Sequence, residues 1–286
     1  MRIYKLIVQL FCKRSVFILL ILFSSITSGA QNMDSLQKAA DLKKDPLDKA
    51  LLYVQLSNFC EIKEIESYAL KAIDLAQPFA TSKDDKERNR AYNLLADANN
   101  NIGYGNQQMG NPSEALNRYY KAISFYELTG DSLQTFETYN NLAAIYLDQG
   151  DSVKCLQIYN DLLNKYSKKN DHKLLYQVYN NLGYYYNETG DSRKALGYYL
   201  NSKLHADKLP NRSNIVLIDN NIGSAYLNLK MYDSALVFVL PSFEFYTKED
   251  DRANLAWVNN LLRRIYLEKA DFDKAENYLI ESMNIA

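Results

Sequence analysis

Glycine, proline, cysteine and histidine are all scarce in this chain of 286 residues, with ten, five, three and two copies. So few turn formers disfavour a turn-rich all-β fold. Past the first thirty residues only Cys60 and Cys155 remain. Both fall at apolar positions of predicted helices and read as small buried hydrophobes with free thiols. His172 and His205 lie near connections, with no cysteine or carboxylate at metal-ligand spacing, so neither a metal nor another cofactor is expected. There is no glycine-rich phosphate loop and no H-E-x-x-H. No catalytic residue is therefore expected, and the chain reads as non-enzymatic.

Basic charge is also in short supply once the first segment is set aside. Residues 1–30 hold Arg2, Lys5, Lys13 and Arg14 and no acid, then the apolar run VFILLILF (16–23), then the small residues Ser28 and Ala30. A basic start, a short apolar run and a small-x-small end describe a secretory signal, with cleavage at Ala30/Gln31. The rival is an uncleaved membrane anchor, but the run falls short of the roughly 20 residues that a spanning helix needs. The reading is export to a periplasmic or extracytoplasmic location, with no membrane contact beyond this segment. Without it the formal net charge moves from −1 to −5. A mildly acidic protein without a basic stripe is a poor nucleic-acid binder.

What the chain has in abundance is repetition. YNNLGYYYNETGDSRKAL (179–196) matches YNNLAAIYLDQGDSVKCL (139–156) and DNNIGSAYLNLKMYDSAL (219–236) at intervals of forty residues. The columns are Asn100, Asn140, Asn180, Asn220 and Asn260, then Ile102, Leu142, Leu182, Ile222 and Leu262. A small column follows at Gly103, Ala143, Gly183 and Gly223, with Arg263 as its exception, and an aromatic one at Tyr146, Tyr186, Tyr226 and Tyr266. A second small column runs Ala115, Cys155, Ala195, Ala235 and Ala275, and a third apolar column runs Tyr119, Tyr159, Tyr199, Val239 and Leu279. Spacings of one and four place each set on one stripe of a helix. Gly-Asp pairs at 150–151 and 190–191 end one helix and cap the next. Each copy is thus two helices. Neither can bury its apolar face alone, so the pairs stack. Upstream, 45–76 forms a degenerate pair, and TSKDDKERNR (81–90) holds an insertion of about ten residues as a loop and a longer helix start. The division expected is a signal over 1–30, a degenerate pair and linker over 31–94, and five copies over 95–286, the last without a polar capping helix.

The pattern L-G-x-x-Y followed by A-x-x-x-Y resembles the tetratricopeptide repeat. Leu182, Gly183, Tyr186, Ala195 and Tyr199 stand at its signature positions. The copies resemble a forty-residue variety of it. That resemblance implies an all-α, right-handed α-solenoid of antiparallel helix pairs, with the first helices lining a concave groove. Cys155 in the small column, Lys230-Met231 at a turn and Arg263-Arg264 depart from the pattern. The secretory start and the YNNLG copies are also similar to the extracytoplasmic region of bacterial sensor proteins.

At about 100° per residue, Tyr179, Leu182, Gly183 and Tyr186 point to the core, and Asn180, Tyr184 and Asn187 to another face. The resemblance makes that face the groove. The asparagine column 100, 140, 180, 220 and 260 has two candidate roles. An amide donates and accepts, so it can grip the backbone of an extended peptide, as the resemblance implies, or it can bond between neighbouring helices. The second asparagines, Asn141, Asn181 and Asn221, fit the latter. Tyr104, Tyr184 and Arg264 share one groove position, and Glu137, Gln177 and the lone Trp257 another. The function expected is an exported scaffold for protein or peptide partners. The alternatives are a sensor input region and a glycan-binding surface module built on Tyr184, Tyr185 and Tyr198. The uncapped last copy offers a surface for self-association.

Overall fold

The structure is a computed structural model that describes residues 33–285; the expected signal segment lies outside the described residues. Every regular element among them is helical. The described residues divide into two compact units, one ending at Gly150 and the other beginning at Asp151.

In the first unit α1 covers 33–42, followed by α2 (Pro46–Phe59), α3 (Ile65–Ala76), α4 (Asp85–Gln108), α5 (Pro112–Thr129) and α6 (Ser132–Asp148). Each helix from α2 onward packs on its neighbour in sequence, and α2, α4 and α6 also meet in series. Alanines make the close approach possible: Ala50, Ala69, Ala72, Ala91 and Ala98 are fully buried beside Leu56, Leu95 and Ile102. The ten-residue insertion read at 81–90 resolves into a short 3₁₀ turn over Gln77–Thr81 and an early start of α4, which reaches 24 residues.

The second unit holds α7 (Ser152–Lys169), α8 (His172–Glu188), α9 (Ser192–Ala206), α10 (Arg212–Asn228), α11 (Tyr232–Lys248), α12 (Arg252–Glu268) and α13 (Phe272–Ile285). Adjacent helices pack as antiparallel neighbours, and the first helices α8, α10 and α12 also touch in series. Within a pair the second helix is tied to the first by a serine. Ser202 Oγ donates to the Tyr176 carbonyl at 2.7 Å, and forty residues later Ser242 Oγ to the Val216 carbonyl at 3.4 Å.

The joints explain the regularity. Asp131, Asp151, Asp171, Asp191 and Asp251 each accept a backbone N–H in the first turn of the next helix, satisfying donors the helix leaves free. The residue before the cap takes a left-handed conformation, with φ between 75° and 88° at Gly110, Gly130, Gly150 and Gly190. The same conformation persists where glycine is missing, at Asn170, Lys230, Asp250 and Ala270 with φ of 50–60°. The departure at Lys230-Met231 therefore leaves the joint intact, although Met231 supplies no side-chain cap. Tight crossing needs glycine at a second place. The Tyr199 ring lies over Gly183 so closely that an added Cβ would sit 2.5 Å from it.

Candidate functional site

The asparagine pairs are the most regular polar feature of the first helices. Asn221 Nδ2 on α10 donates to Asn180 Oδ1 on α8 at 2.8 Å. In the first unit Asn101 Nδ2 on α4 donates to Asn58 Oδ1 on α2 at 2.7 Å and to Ser57 Oγ at 2.8 Å. Asn228 Nδ2 bonds Asn187 Oδ1 in the same way at 2.9 Å. Each pair thus bridges one first helix to the next, the first asparagine accepting and the second, one copy on, donating. Asn100 accepts from Thr138 Oγ1 at 3.3 Å, and Asn140 is half-buried on α6.

The pattern is incomplete: Asn100 takes Thr138 in place of Asn141, and the series breaks again at α12. Leu261 stands where the next donor is due, and Asn220 is left 0 % exposed with neither amide atom hydrogen-bonded. Asn259 is buried and unpartnered in the same way. The groove position expected for Asn220 is therefore corrected: its side chain is fully buried and offers nothing to a bound partner. Asn260 is exposed and takes Arg263 Nη2 at 2.8 Å.

Among the other groove candidates Tyr184 is 54 % exposed and Trp257 39 %, with Tyr104, Glu137 and Arg264 also exposed, while Asn100, Asn180 and Gln177 are half-buried; Leu217, in register with Trp257, is exposed too. Arg264 borders a cavity of about 280 Å³ that Leu227, Lys230 and Glu268 also line. Two tyrosines change place. Tyr185, read as surface, is buried, while Tyr186 is only half-buried and stacks on Tyr198 with ring centroids 5.2 Å apart and Lys194 Nζ 5.1 Å from its own. This leaves one fewer exposed ring for a carbohydrate platform.

Burial dominates the ionisable groups. Asp97 is half-buried on α4 and accepts from Tyr126 Oη at 2.7 Å. Desolvation raises its carboxyl above the usual range despite that bond, and burial followed by the Asp97 charge pushes the Tyr126 phenol far up. Cys60 and Cys155 are free, and burial pushes the Cys155 thiol up to about 11, out of reach of easy thiolate chemistry.

The structure brings together one pair that spacing did not announce. His172, first residue of α8, and His205, in the last turn of α9, place their Nδ1 atoms 2.8 Å apart, with Tyr179 stacked on the His205 ring. Burial, His172 and Lys208 together lower the pKa of His205. Antiparallel packing of α8 on α9 sets this contact, so the signal available in sequence was only that both residues flank one hairpin. Among the described residues no group of three or more His, Cys, Asp or Glu could hold a metal ion, and no helix is long and apolar enough to cross a membrane.

A series of helical hairpins joined by aspartate-capped turns, with small residues where paired helices cross, defines an all-α repeat scaffold of the solenoid class. Residues 94–168 and 134–202 match the family model for the tetratricopeptide repeat. Over residues 94–202 the chain therefore carries tetratricopeptide repeats. Its fold is similar to that of BtubC (BKLC) from P. vanneervenii, with 19 % identity and a TM-score of 0.66 over 79 % of this chain and 91 % of that one. It is also similar to the quorum sensor NprR from B. thuringiensis in its apo form, at 15 % identity and a TM-score of 0.55, covering 93 % of this chain and 84 % of that one. A Rap protein complexed with Competence and Sporulation Factor aligns at 15 % identity and a TM-score of 0.56, covering 91 % and 76 %. A comparison with curated proteins finds no match.

Proposed function

We propose that this chain is an exported, non-enzymatic scaffold that holds a protein or peptide partner on the exposed face of its first helices. The observation that carries the reading is the set of large side chains left in water on α8, α10 and α12: Tyr184, Leu217 and Trp257, accompanied by Arg264. Each helix has a buried face that could have taken these groups, and aromatic and arginine side chains are the usual anchors of interfaces. The Rap protein of the same fold, crystallised with Competence and Sporulation Factor, supports a peptide as one class of partner. In this reading the bridging asparagines space the helices, and recognition falls to the exposed residues. Export rests on the basic, apolar and small-residue order of residues 1–30.

The test is selection from a random peptide display library on the protein without residues 1–30. Enriched peptides are expected to lose at least tenfold in affinity on Tyr184→Ala with Trp257→Ala, while the melting curve stays that of the parent. Failure to enrich any sequence, or binding that ignores both substitutions, would overturn the reading.

A further inference from the structure

The chain departs from its own pattern most heavily around one place, the joint between α9 and α10 and the helix α11 that packs there. The second helices α5 and α7 run for 18 residues, whereas α9 stops after 15 and gives way to Leu209-Pro210. Tyr126, Tyr166 and Tyr246 are buried at forty-residue spacing, and the fourth member of that column is Ala206. Ala206 packs in one cluster with Ile215. Pro241 sits inside α11, where Lys121, Asp161, Asn201 and Glu281 occupy the same register of the other second helices. An ion pair joins Lys203 of α9 to Asp219 of α10, both largely shielded from water, in a register that elsewhere carries neutral side chains.

These departures surround a single cavity of about 400 Å³. Shortening a helix, trading tyrosine for alanine and inserting proline each lose packing. Their coincidence around one space is the mark of a site rather than of drift. Its walls are apolar at Leu209, Pro210, Ile215, Val216 and Phe245. Its charged groups are Lys203, Asp219 and Arg212. Lys203 and Asp219 neutralise each other, which leaves Arg212, exposed at the first turn of α10 and without an ion pair among the described residues, as the excess charge.

We propose that this cavity binds a small organic monoanion, a carboxylate carried on a hydrophobic body. The carboxylate meets the Arg212 guanidinium, which offers paired donors to two oxygens, and the hydrocarbon covers Ile215 and Phe245. A cationic ligand finds the only carboxylate already engaged by Lys203. The site shares no residue with the exposed face of the first helices, and it stands or falls independently of peptide binding.

Phenylacetate serves as the probe, with 2-phenylethylamine and 2-phenylethanol as its cationic and neutral counterparts, each titrated calorimetrically into the protein without residues 1–30. Saturable binding of phenylacetate is expected, at least tenfold tighter than either counterpart. Arg212→Met, at an exposed position, is expected to weaken it about tenfold without moving the melting curve. Ile215→Trp, which fills the cavity, is expected to abolish it; if that variant fails to fold, Arg212→Met decides alone. No saturation on folded protein, equal binding of the three compounds, or an Arg212→Met variant that binds like the parent would each overturn the proposal.

Discussion

Gly183→Ala and Gly197→Ala are one chemical change made in the two helices of a single pair, and they are expected to move stability in opposite directions. Alanine in a helix interior is favoured over glycine by about 1 kcal/mol. At Gly197 an added Cβ meets nothing within 4 Å, so most of that gain should appear. At Gly183 the Cβ would lie 2.5 Å from Cδ1 and Cε1 of Tyr199. Carbon atoms rest at about 3.5–4.0 Å, so the ring must retreat by roughly 1 Å. Tyr199 is 1 % exposed and has no open side to move into. Over-packing of this kind costs about 1–3 kcal/mol, and a clash with two ring atoms belongs at the upper end. The net expectation is a loss of about 2 kcal/mol for Gly183→Ala and a gain of up to about 1 kcal/mol for Gly197→Ala. Urea unfolding followed by far-ultraviolet circular dichroism measures both. Amide exchange across α8 and α9 shows whether the loss is local to the pair. A Gly183→Ala protein as stable as its parent would refute the reasoning, because it would mean that the two helices are not in contact at this crossing.

Two further outcomes follow from the buried polar groups. Asn220→Leu removes two amide atoms that are buried without partners and should stabilise the protein by about 1–3 kcal/mol in the same urea assay; a loss of that size would show that the amide is hydrogen-bonded in solution. Asp97→Asn keeps an acceptor for Tyr126 and removes a charge that burial disfavours. Because the folded-state pKa of Asp97 is raised, this group's contribution to stability falls as pH rises from the unfolded value through the folded one. The variant should therefore exceed its parent most at neutral pH and converge with it in acid, and melts across that range that stay parallel would contradict the assignment.

The asparagine pairs show where reading the chain alone stops. Their recurrence every forty residues was plain, and the need for an amide that both donates and accepts was plain from chemistry. Which partner each amide finds depends on the offset between neighbouring first helices. That offset brings Asn221 to Asn180 and leaves Asn220 buried without a partner among the described residues. Tyr185 and Tyr186 make the same point. A wheel of 100° per residue assigns directions on one axis, but burial depends on what the adjacent helix supplies. Leu279 belongs to the column of Tyr119, Tyr199 and Val239, all of them buried, yet it is 43 % exposed. Its column-mates insert over Gly103, Gly183 and Gly223, and opposite Leu279 that position is Arg263.

The sequence by itself determined the helical hairpin, its forty-residue period, its aspartate caps and the left-handed joints before them, because these depend on contacts within a few residues along the chain. Tertiary structure alone decided the asparagine bridges, the meeting of His172 with His205, and the cavity beneath Arg212. Each joins residues from different helices, and side-chain reach across a helix crossing is set by how closely two backbones pack rather than by any spacing along one of them.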